Sequence, residues 1–130
     1  MKYVTAAILV HDGLVLITKR KSGDRLADKW EFPGGTIEQG ETAEQCLKRE
    51  MKEEFSVIVS ISQFLGDSVY DYEHGTIRLM AYRTFWKGGE ITAKAHDDFR
   101  WVALDELDSY EFAPADIPFV EMLKNVKMRV

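Results

Sequence analysis

The chain opens with two apolar runs separated by a polar turn. Residues 3–10 are apolar apart from Thr5, which is typical of a buried strand. Asp12-Gly13 follows, a dipeptide that favours a tight β-hairpin turn, and residues 14–18 form the second apolar run. Residues 19–29 are polar and are predicted to form a loop. The sequence therefore predicts a hairpin followed by a loop.

A helical period replaces the strand pattern between residues 42 and 55. Ala43, Leu47, Met51 and Phe55 recur every four residues, which predicts an amphipathic helix with one buried stripe. Cys46 lies in the same helix without a second cysteine or a nearby histidine. We therefore expect Cys46 to be a small packing residue and not a nucleophile.

Strand-like segments return after the helix. They are predicted at residues 57–62, 64–72 and 76–86, with a turn at 73–75, another turn at Gly88-Gly89, and a short strand at 99–102. A single helical turn is expected within residues 104–110, and a closing helix at 117–125 has Pro118 in its first turn, where proline is tolerated. The order of strands, helix, strands and helix predicts an α/β fold with a mixed sheet between helices.

Composition limits the classes of protein to consider. A chain of 130 residues with 45% hydrophobic residues is long enough for one domain with its own core, and we expect residues 1–130 to form it. The longest apolar run, residues 6–10, is too short to cross a membrane, and the N-terminus has no signal-peptide layout. A net charge of −5 without a basic block argues against binding a nucleic-acid polymer. A single cysteine rules out an internal disulfide framework, so a cytoplasmic location is expected.

Three glutamates concentrate negative charge at one point of the predicted helix. Glu50, Glu53 and Glu54 are spaced i, i+3 and i+4, so they share one face, and each close pair of like charges costs roughly 0.2–0.5 kcal/mol. One interpretation is a solvated charged face. The preceding Phe32-Pro33-Gly34-Gly35 loop favours the other interpretation, a cation site, because paired glycines allow a close backbone approach. Oxygen-only ligands suit Mg²⁺, with Mn²⁺ as an alternative.

The helix and its preceding loop resemble a known motif. The chain resembles the Nudix box at every fixed position except the last glycine, through the pattern Gly35-x5-Glu41-x7-Arg49-Glu50-Met51-x-Glu53-Glu54-x-Ser56-Val57. Residues 29–35 and 113–118 (Ala-Pro-Ala-Asp-Ile-Pro) extend the resemblance to the MutT-type branch, which hydrolyses nucleoside triphosphates, and it covers nearly the whole chain. The resemblance implies the Nudix α/β/α sandwich, a mixed sheet with the motif helix beside it.

The resemblance also implies roles for the motif residues. Glu53 and Glu54 are the leading metal ligands, Glu50 completes the cluster, and the backbone carbonyl of Gly34 is a further ligand. The glycine at Gly35 keeps a side chain out of the approach to substrate.

The motif arginine has two interpretations. Arg49 can reach back towards Glu41, and in the family this pair braces the loop against the helix; the alternative for Arg49 is direct contact with phosphate. Ser56 stands where glycine ends the motif helix in a left-handed conformation, so it either bears that strain or the helix ends differently.

The general base and the phosphate contact are less sharply predicted. Arg20 aligns with an arginine that contacts the triphosphate in MutT-type enzymes, and its alternative is an exposed cation in a basic loop. Relatives draw the general base from the glutamate cluster or from a loop acid. The loop candidates here are His96 and Asp97, which could equally lie in a solvated turn.

Residues 113–118 look more like the CTP pyrophosphohydrolase branch than the bacterial 8-oxo-dGTP type. An ionised Asp116 only accepts hydrogen bonds, so we expect it to select a base with an exocyclic amine, such as cytosine. Asp116 could instead cap the closing helix, or hold a proton and donate to an oxidised guanine.

The expected activity is metal-dependent hydrolysis of CTP, dCTP or 5-methyl-dCTP to monophosphate and pyrophosphate. The alternative substrate is 8-oxo-dGTP, and the alternative class is a non-catalytic nucleotide-binding module. The three motif glutamates favour the enzyme, because degenerate members typically lose one or more of them. The sequence leaves a monomer and a homodimer equally open.

Overall fold

The computed structural model of the protein describes residues 1–20, 28–92 and 96–125. These ranges contain seven strands, two α-helices and two short 3-10 helices. The elements are β1 (Lys2–His11), β2 (Leu14–Arg20), β3 (Trp30–Glu31), β4 (Gly34–Thr36), α1 (Ala43–Phe55), β5 (Val57–Tyr72), β6 (Gly75–Gly89), β7 (His96–Ala103), the 3-10 helices Leu104–Ser109 and Pro114–Asp116, and α2 (Ile117–Asn125). No helix in these three ranges is long and apolar enough to cross a membrane.

The sheet is mixed, as predicted. β1 pairs in parallel with β6 and antiparallel with β2 and β4, while β5 extends the sheet by pairing antiparallel with β6. β3 and β7 both pair antiparallel with β2. The central position of β1 explains its apolar composition, because a strand paired on both sides and covered on both faces has no solvent-facing side.

Each face of β1 packs against a different helix. Ala6 and Ile8 belong to a cluster that includes Leu123 of α2, whereas Ala7 and Leu9 belong to a cluster that includes Met51 of α1. Alternate residues of a strand point to opposite faces of the sheet, so α1 and α2 lie on opposite sides. This arrangement confirms the predicted α/β/α sandwich.

The structure corrects several predicted boundaries. Residues 57–62 and 64–72 form one strand, β5, whose register shifts between Ile61 and Phe64 and again before Gly66, so β-bulges absorb the predicted break. Gly88 and Gly89 continue β6 instead of turning, because they pair with the start of β5. β7 begins at His96, before the predicted residue 99, because it pairs along β2 as far as Arg20. The predicted loop at residues 19–29 is shortened by β2, and residues 21–27 lie outside the described residues.

Helix α1 begins and ends where its sequence indicates. Thr42 caps the first turn in a reciprocal pair of hydrogen bonds with Gln45. Ser56 ends the helix with φ 61° and ψ 30°, so a non-glycine residue adopts the left-handed conformation at a cost of about 1 kcal/mol. The buried stripe contains Cys46 at 0% exposure in place of the predicted Ala43, which is only half-buried. Cys46 is therefore a packing residue, as expected.

Candidate active site

The glycine pair, Gly34 and Gly35, packs closely between β1 and α1. A Cβ atom on Gly34 would overlap the carbonyl oxygen of Thr5, and one on Gly35 would overlap the carboxyl group of Glu50. Any side chain at Gly35 would therefore displace a motif glutamate, so glycine is required here for packing as well as for access.

The carbonyl of Gly34 is directed away from β1. Hydrogen bonds from Ala7 N–H to Pro33 O (2.7 Å) and from Ile37 N–H to Tyr3 O (2.9 Å) bracket the antiparallel ladder between β1 and β4. Bonded and non-bonded pairs alternate along such a ladder, which leaves Gly34 at a non-bonded position. Its carbonyl is therefore free of that ladder, as a backbone metal ligand must be.

The Arg49 side chain donates hydrogen bonds to several residues of the motif. Its Nε and Nη2 donate to the two carboxylate oxygens of Glu41 at 2.6 and 3.0 Å, and Nη2 also donates to the Thr36 carbonyl oxygen at 3.2 Å. Nη1 donates to Glu50 at 3.0 Å and to Glu53 at 3.1 Å. Arg49 thus joins the loop before the helix to the glutamate cluster, and bidentate pairing of this kind gives geometric specificity.

This network changes the ionisation of its members. The Arg49 hydrogen bonds, followed by the backbone N–H of Glu38, lower the pKa of Glu41 to about 2. The pKa of Arg49 is raised, chiefly by its bond to Glu41. Burial raises the pKa of Glu50, and the charges of Glu54 and Glu53 raise it further. The hydrogen bond and the charge of Arg49 lower the pKa of Glu50 in opposition, and each of these effects is larger than that of Glu54 or Glu53.

The three motif glutamates share one face of α1 in different environments. The Glu50 side chain is 16% exposed against Gly35, the Glu53 side chain is 57% exposed, and Glu54 is half-buried. Among the described side chains of residues 1–20, 28–92 and 98–125, no three histidine, cysteine, aspartate or glutamate groups converge on one point, and Arg49 bonds to two of these carboxylates. The donor set is oxygen-only, so its chemistry fits Mg²⁺ or Mn²⁺.

A cavity of about 280 Å³ begins at the glycine pair. Its walls come from β1, β4, the β5–β6 hairpin and the 3-10 helix Pro114–Asp116. The lining residues include Arg20, Glu31, Gly34, Gly35, Tyr72, His74, Ala115 and Asp116. Because Gly35 also touches Glu50, one end of the cavity adjoins the glutamate cluster and another reaches Asp116.

Asp116 is a buried acid, 5% exposed. Its Oδ1 accepts a hydrogen bond from the Phe32 backbone N–H at 3.0 Å, so its bond is to the loop before β4 and not to the first turn of α2. Burial, and then the charge of Glu31, raise the pKa of Asp116 well above its usual value, against the opposing effects of Phe32 and Arg20. Burial and the Glu31 charge therefore favour the alternative in which Asp116 holds a proton over the ionised form.

Arg20 lies beside Asp116 in the cavity. Its Nη1 is 2.9 Å from Oε1 of Glu31, and its side chain is 27% exposed, so it is not the exposed cation of the alternative interpretation. His96 and Asp97, the two other candidates for the general base, lie at the start of β7 and not in a loop, and their side chains lie outside the described residues.

Three site residues were missed in the sequence. Glu31 lines the cavity and raises the pKa of Asp116, the Phe32 N–H bonds Asp116, and the Tyr72 hydroxyl accepts a hydrogen bond from Ala115. Glu31 and Phe32 lie next to the glycine pair, which is the only sequence signal for them. Tyr72 carries none, because its partner is 43 residues away.

Comparison with protein families finds one matching domain. The NUDIX domain matches residues 1–123 of the chain. The chain is 32% identical over 118 residues to the CTP pyrophosphohydrolase of Escherichia coli strain K12, covering 91% of this chain and 87% of that protein. It is 38% identical over 115 residues to the "Putative 8-oxo-dGTP diphosphatase 2" of Mycobacterium tuberculosis, covering 87% of this chain and 81% of that protein.

Solved structures show the same fold. The solution structure of the Escherichia coli ORF135 protein superimposes with a TM-score of 0.82 at 32% identity, over 93% of this chain and 86% of that one. The MutT protein of Methanosarcina mazei Go1 superimposes with a TM-score of 0.85 at 20% identity, over 95% of this chain and 93% of that one.

Proposed function

Because the chain belongs to the Nudix family and is a hydrolase of nucleotide substrates that acts on acid anhydrides, we propose that it hydrolyses a nucleoside triphosphate to the monophosphate and pyrophosphate. The observation that carries this proposal is a cavity lined both by Gly35, which lies beside Glu50, and by the buried Asp116. A nucleotide needs a phosphate-binding end and a base-binding end, and this cavity offers both.

The phosphate end is assigned to the motif. Glu53, Glu54, Glu50 and the Gly34 carbonyl would hold Mg²⁺, or Mn²⁺ in its place. A bound divalent cation neutralises the phosphoryl oxygens and lowers the pKa of a bound water. Arg49 holds the Thr36 carbonyl, Glu41 and two cluster carboxylates in a fixed arrangement.

The general base is assigned either to the cluster or to His96 or Asp97. The variants His96→Ala and Asp97→Asn separate these assignments. If one of these two residues is the base, its variant loses the low-pH limb of the rate profile. If both variants keep that limb, the base belongs to the cluster.

The base end is assigned to Asp116. An N–H donor prefers the unprotonated oxygen of a neutral carboxyl group, so the Phe32 N–H on Oδ1 favours the proton on Oδ2. Asp116 then offers a donor at Oδ2 and a remaining acceptor site at Oδ1. Cytosine presents an acceptor at N3 beside a donor at the N4 amine, which complements this pair. We therefore propose CTP, dCTP or 5-methyl-dCTP as the substrate, which agrees with the similarity to the CTP pyrophosphohydrolase.

A second candidate is favoured by the raised pKa of Asp116. Guanine presents two acceptors, N7 and O6, along one edge, whereas 8-oxoguanine has an N–H at the first of these positions. A neutral carboxyl group can donate to O6 and accept from that N–H, so it discriminates the oxidised base. The similarity to the Mycobacterium tuberculosis protein supports 8-oxo-dGTP as the second candidate.

A nucleotide panel tests both candidates. With Mg²⁺ and pyrophosphate release as the readout, we expect kcat/KM to be highest for CTP, dCTP or 5-methyl-dCTP, and at least tenfold lower for UTP, whose O4 replaces the amine. A preference for 8-oxo-dGTP over dGTP, without preference for CTP over UTP, would select the second candidate. Equal rates for all nucleotides would contradict base recognition by Asp116.

A further inference from the structure

Tyr72 ends β5 at the wall of the cavity. Its hydroxyl oxygen accepts a hydrogen bond from the backbone N–H of Ala115 at 2.8 Å. Ala115 is the middle residue of the 3-10 helix Pro114–Asp116 and is 3% exposed. The phenol of Tyr72 therefore holds the residue directly before Asp116, and it does so from a strand 43 residues away in sequence.

The direction of the Tyr72 ring is restrained by its neighbours. The Tyr70 ring lies at 4.7 Å between centroids on one side, and the His74 ring stacks nearly parallel at 5.2 Å with an interplanar angle of 13°. The same side chain packs against the core cluster on the α2 side of the sheet. Because a tyrosine ring has only two side-chain torsions, these contacts leave its hydroxyl little freedom.

Two hydrogen bonds attach the short 3-10 helix to the rest of the cavity wall. Ala115 N–H bonds the Tyr72 hydroxyl, and the Asp116 carboxyl group accepts from Phe32 N–H at 3.0 Å. A third bond runs from Asp116 N–H to the carbonyl oxygen of Ala113, whose own N–H bonds the Trp30 carbonyl oxygen of β3 at 2.9 Å. The Trp30 bond fixes the start of the segment against β3, whereas the position of residues 115 and 116 relative to β4 and β5 depends on Tyr72 and Phe32.

We propose that Tyr72 is a positioning residue for base selection. By holding Ala115, its hydroxyl sets where the Asp116 carboxyl group meets the base of the nucleotide. This inference rests on the proposed function, because it takes Asp116 as the group that reads the base. Tyr72 acts here through the backbone of Ala115 and not by contact with the reacting phosphate.

The variant Tyr72→Phe tests this role, because it keeps the ring contacts and removes the hydroxyl oxygen. The matched control is Tyr70→Phe, which removes the hydroxyl of the neighbouring ring, 42% exposed and not among the cavity-lining residues. For each protein, kcat and KM are measured with CTP and UTP, and with 8-oxo-dGTP and dGTP. Amide hydrogen exchange at Ala115 reports the bond itself.

The selectivity ratio is kcat/KM for the preferred nucleotide divided by kcat/KM for its partner, either CTP over UTP or 8-oxo-dGTP over dGTP. We expect Tyr72→Phe to lower this ratio about tenfold, because a buried N–H without an acceptor lets the Asp116 segment shift. The loss should lie in KM of the preferred nucleotide, with kcat changed less than about threefold, and exchange at Ala115 should accelerate. Tyr70→Phe should leave the ratio and the exchange unchanged. A merely structural role predicts equal losses on both nucleotides of a pair.

An unchanged selectivity ratio in Tyr72→Phe, or equal losses on both nucleotides, would overturn the inference. The proposed function would still stand if the wild-type protein is active. Wild-type protein that hydrolyses none of these nucleotides with Mg²⁺ would overturn the proposed function and this inference together. The two failures are therefore distinguishable by the wild-type measurement alone.

Discussion

Steric fit and charge determine the arrangement of individual residues of the motif. Gly35 has no side chain because the Glu50 carboxyl group occupies the space where one would stand. Burial raises the pKa of Glu50 against the opposing effect of Arg49, and the charges of Glu54 and Glu53 add to the rise. A divalent cation would stabilise three neighbouring carboxylates, which is the physical reason for our proposal that Glu50, Glu53 and Glu54 bind metal.

Removing the charge of a cluster ligand should abolish turnover without unfolding the protein. We expect Glu53→Gln and Glu54→Gln each to lower kcat by orders of magnitude with Mg²⁺, because a neutral amide is a poor ligand for this ion. Thermal unfolding should change little, since Glu53 is 57% exposed in its side chain. The matched control is Glu44→Gln in the exposed first turn of α1, which should retain activity. Near-normal turnover of either cluster variant would remove that residue from the ligand set.

At the scale of elements, Arg49 connects α1 to the loop that precedes it. Glu41 lies just outside the helix, which begins after the Thr42 cap, and its carboxylate takes two hydrogen bonds from Arg49. The Thr36 carbonyl at the end of β4 takes another. One guanidinium group therefore attaches both Glu41 and the end of β4 to the helix, and this restrains the neighbouring glycine pair.

This connection should make stability depend on pH in the acidic range. The pKa of Glu41 is lowered from 4.5 to about 2 in the folded protein, so its contribution is complete above pH 4.5 and is lost as pH falls towards 2. We expect Glu41→Gln to lower the melting temperature at pH 7, and the difference from wild type to shrink steadily between pH 4.5 and pH 2. Calorimetry across this range measures it.

The control for the pH experiment is Glu38→Gln. The Glu38 side chain is 68% exposed and its carboxylate lies 3.6 Å from Arg49 Nε, so its contribution is screened by solvent. The Glu38 variant should show little difference from wild type at any pH. A Glu41 deficit that stays constant from pH 7 to pH 3 would contradict the assignment of its stabilising effect to the ionised pair.

On the scale of the whole molecule, the sandwich brings two distant parts of the chain to one cavity. α1 packs on one face of the sheet and α2 on the other, yet residues 32–35 approach both, because Gly35 lies against Glu50 and Phe32 N–H bonds Asp116. A substrate in the cavity would then have its base against the C-terminal part of the chain and its phosphates towards the motif helix.

This orientation bears on which bond is broken. MutT-type enzymes, which the chain resembles, attack the β-phosphorus, and hydrolysis in ¹⁸O-labelled water should therefore place the label in pyrophosphate. Mass spectrometry of both products measures its position, with unlabelled water as the control. Label in the monophosphate would instead indicate attack at the α-phosphorus and a different placement of the triphosphate.

Much of the fold and of the motif is determined by sequence alone. The apolar run of β1 and the four-residue period of α1 are local signals, and the structure has both elements where they were predicted, whereas the sequence left the geometry of the helix end at Ser56 open. Arg49 and Glu41 are close in sequence, and the resemblance to the Nudix box indicated their contact, although Glu41 lies outside the helix. The errors lie where pairing overrides local pattern, as in the bulges that merge two predicted strands into β5.

The tertiary structure alone decides the chemistry of the base end. Asp116 loses water through folding, gains Phe32 N–H from 84 residues away and faces Glu31, and these contacts favour its neutral form. Tyr72 reaches Ala115 across 43 residues. A pKa depends on burial and on neighbours that only packing assembles, so no local pattern could have predicted it. The family is therefore identified by residues that are close in sequence, whereas the protonation and hydrogen bonding of Asp116 depend on contacts that only the folded chain assembles.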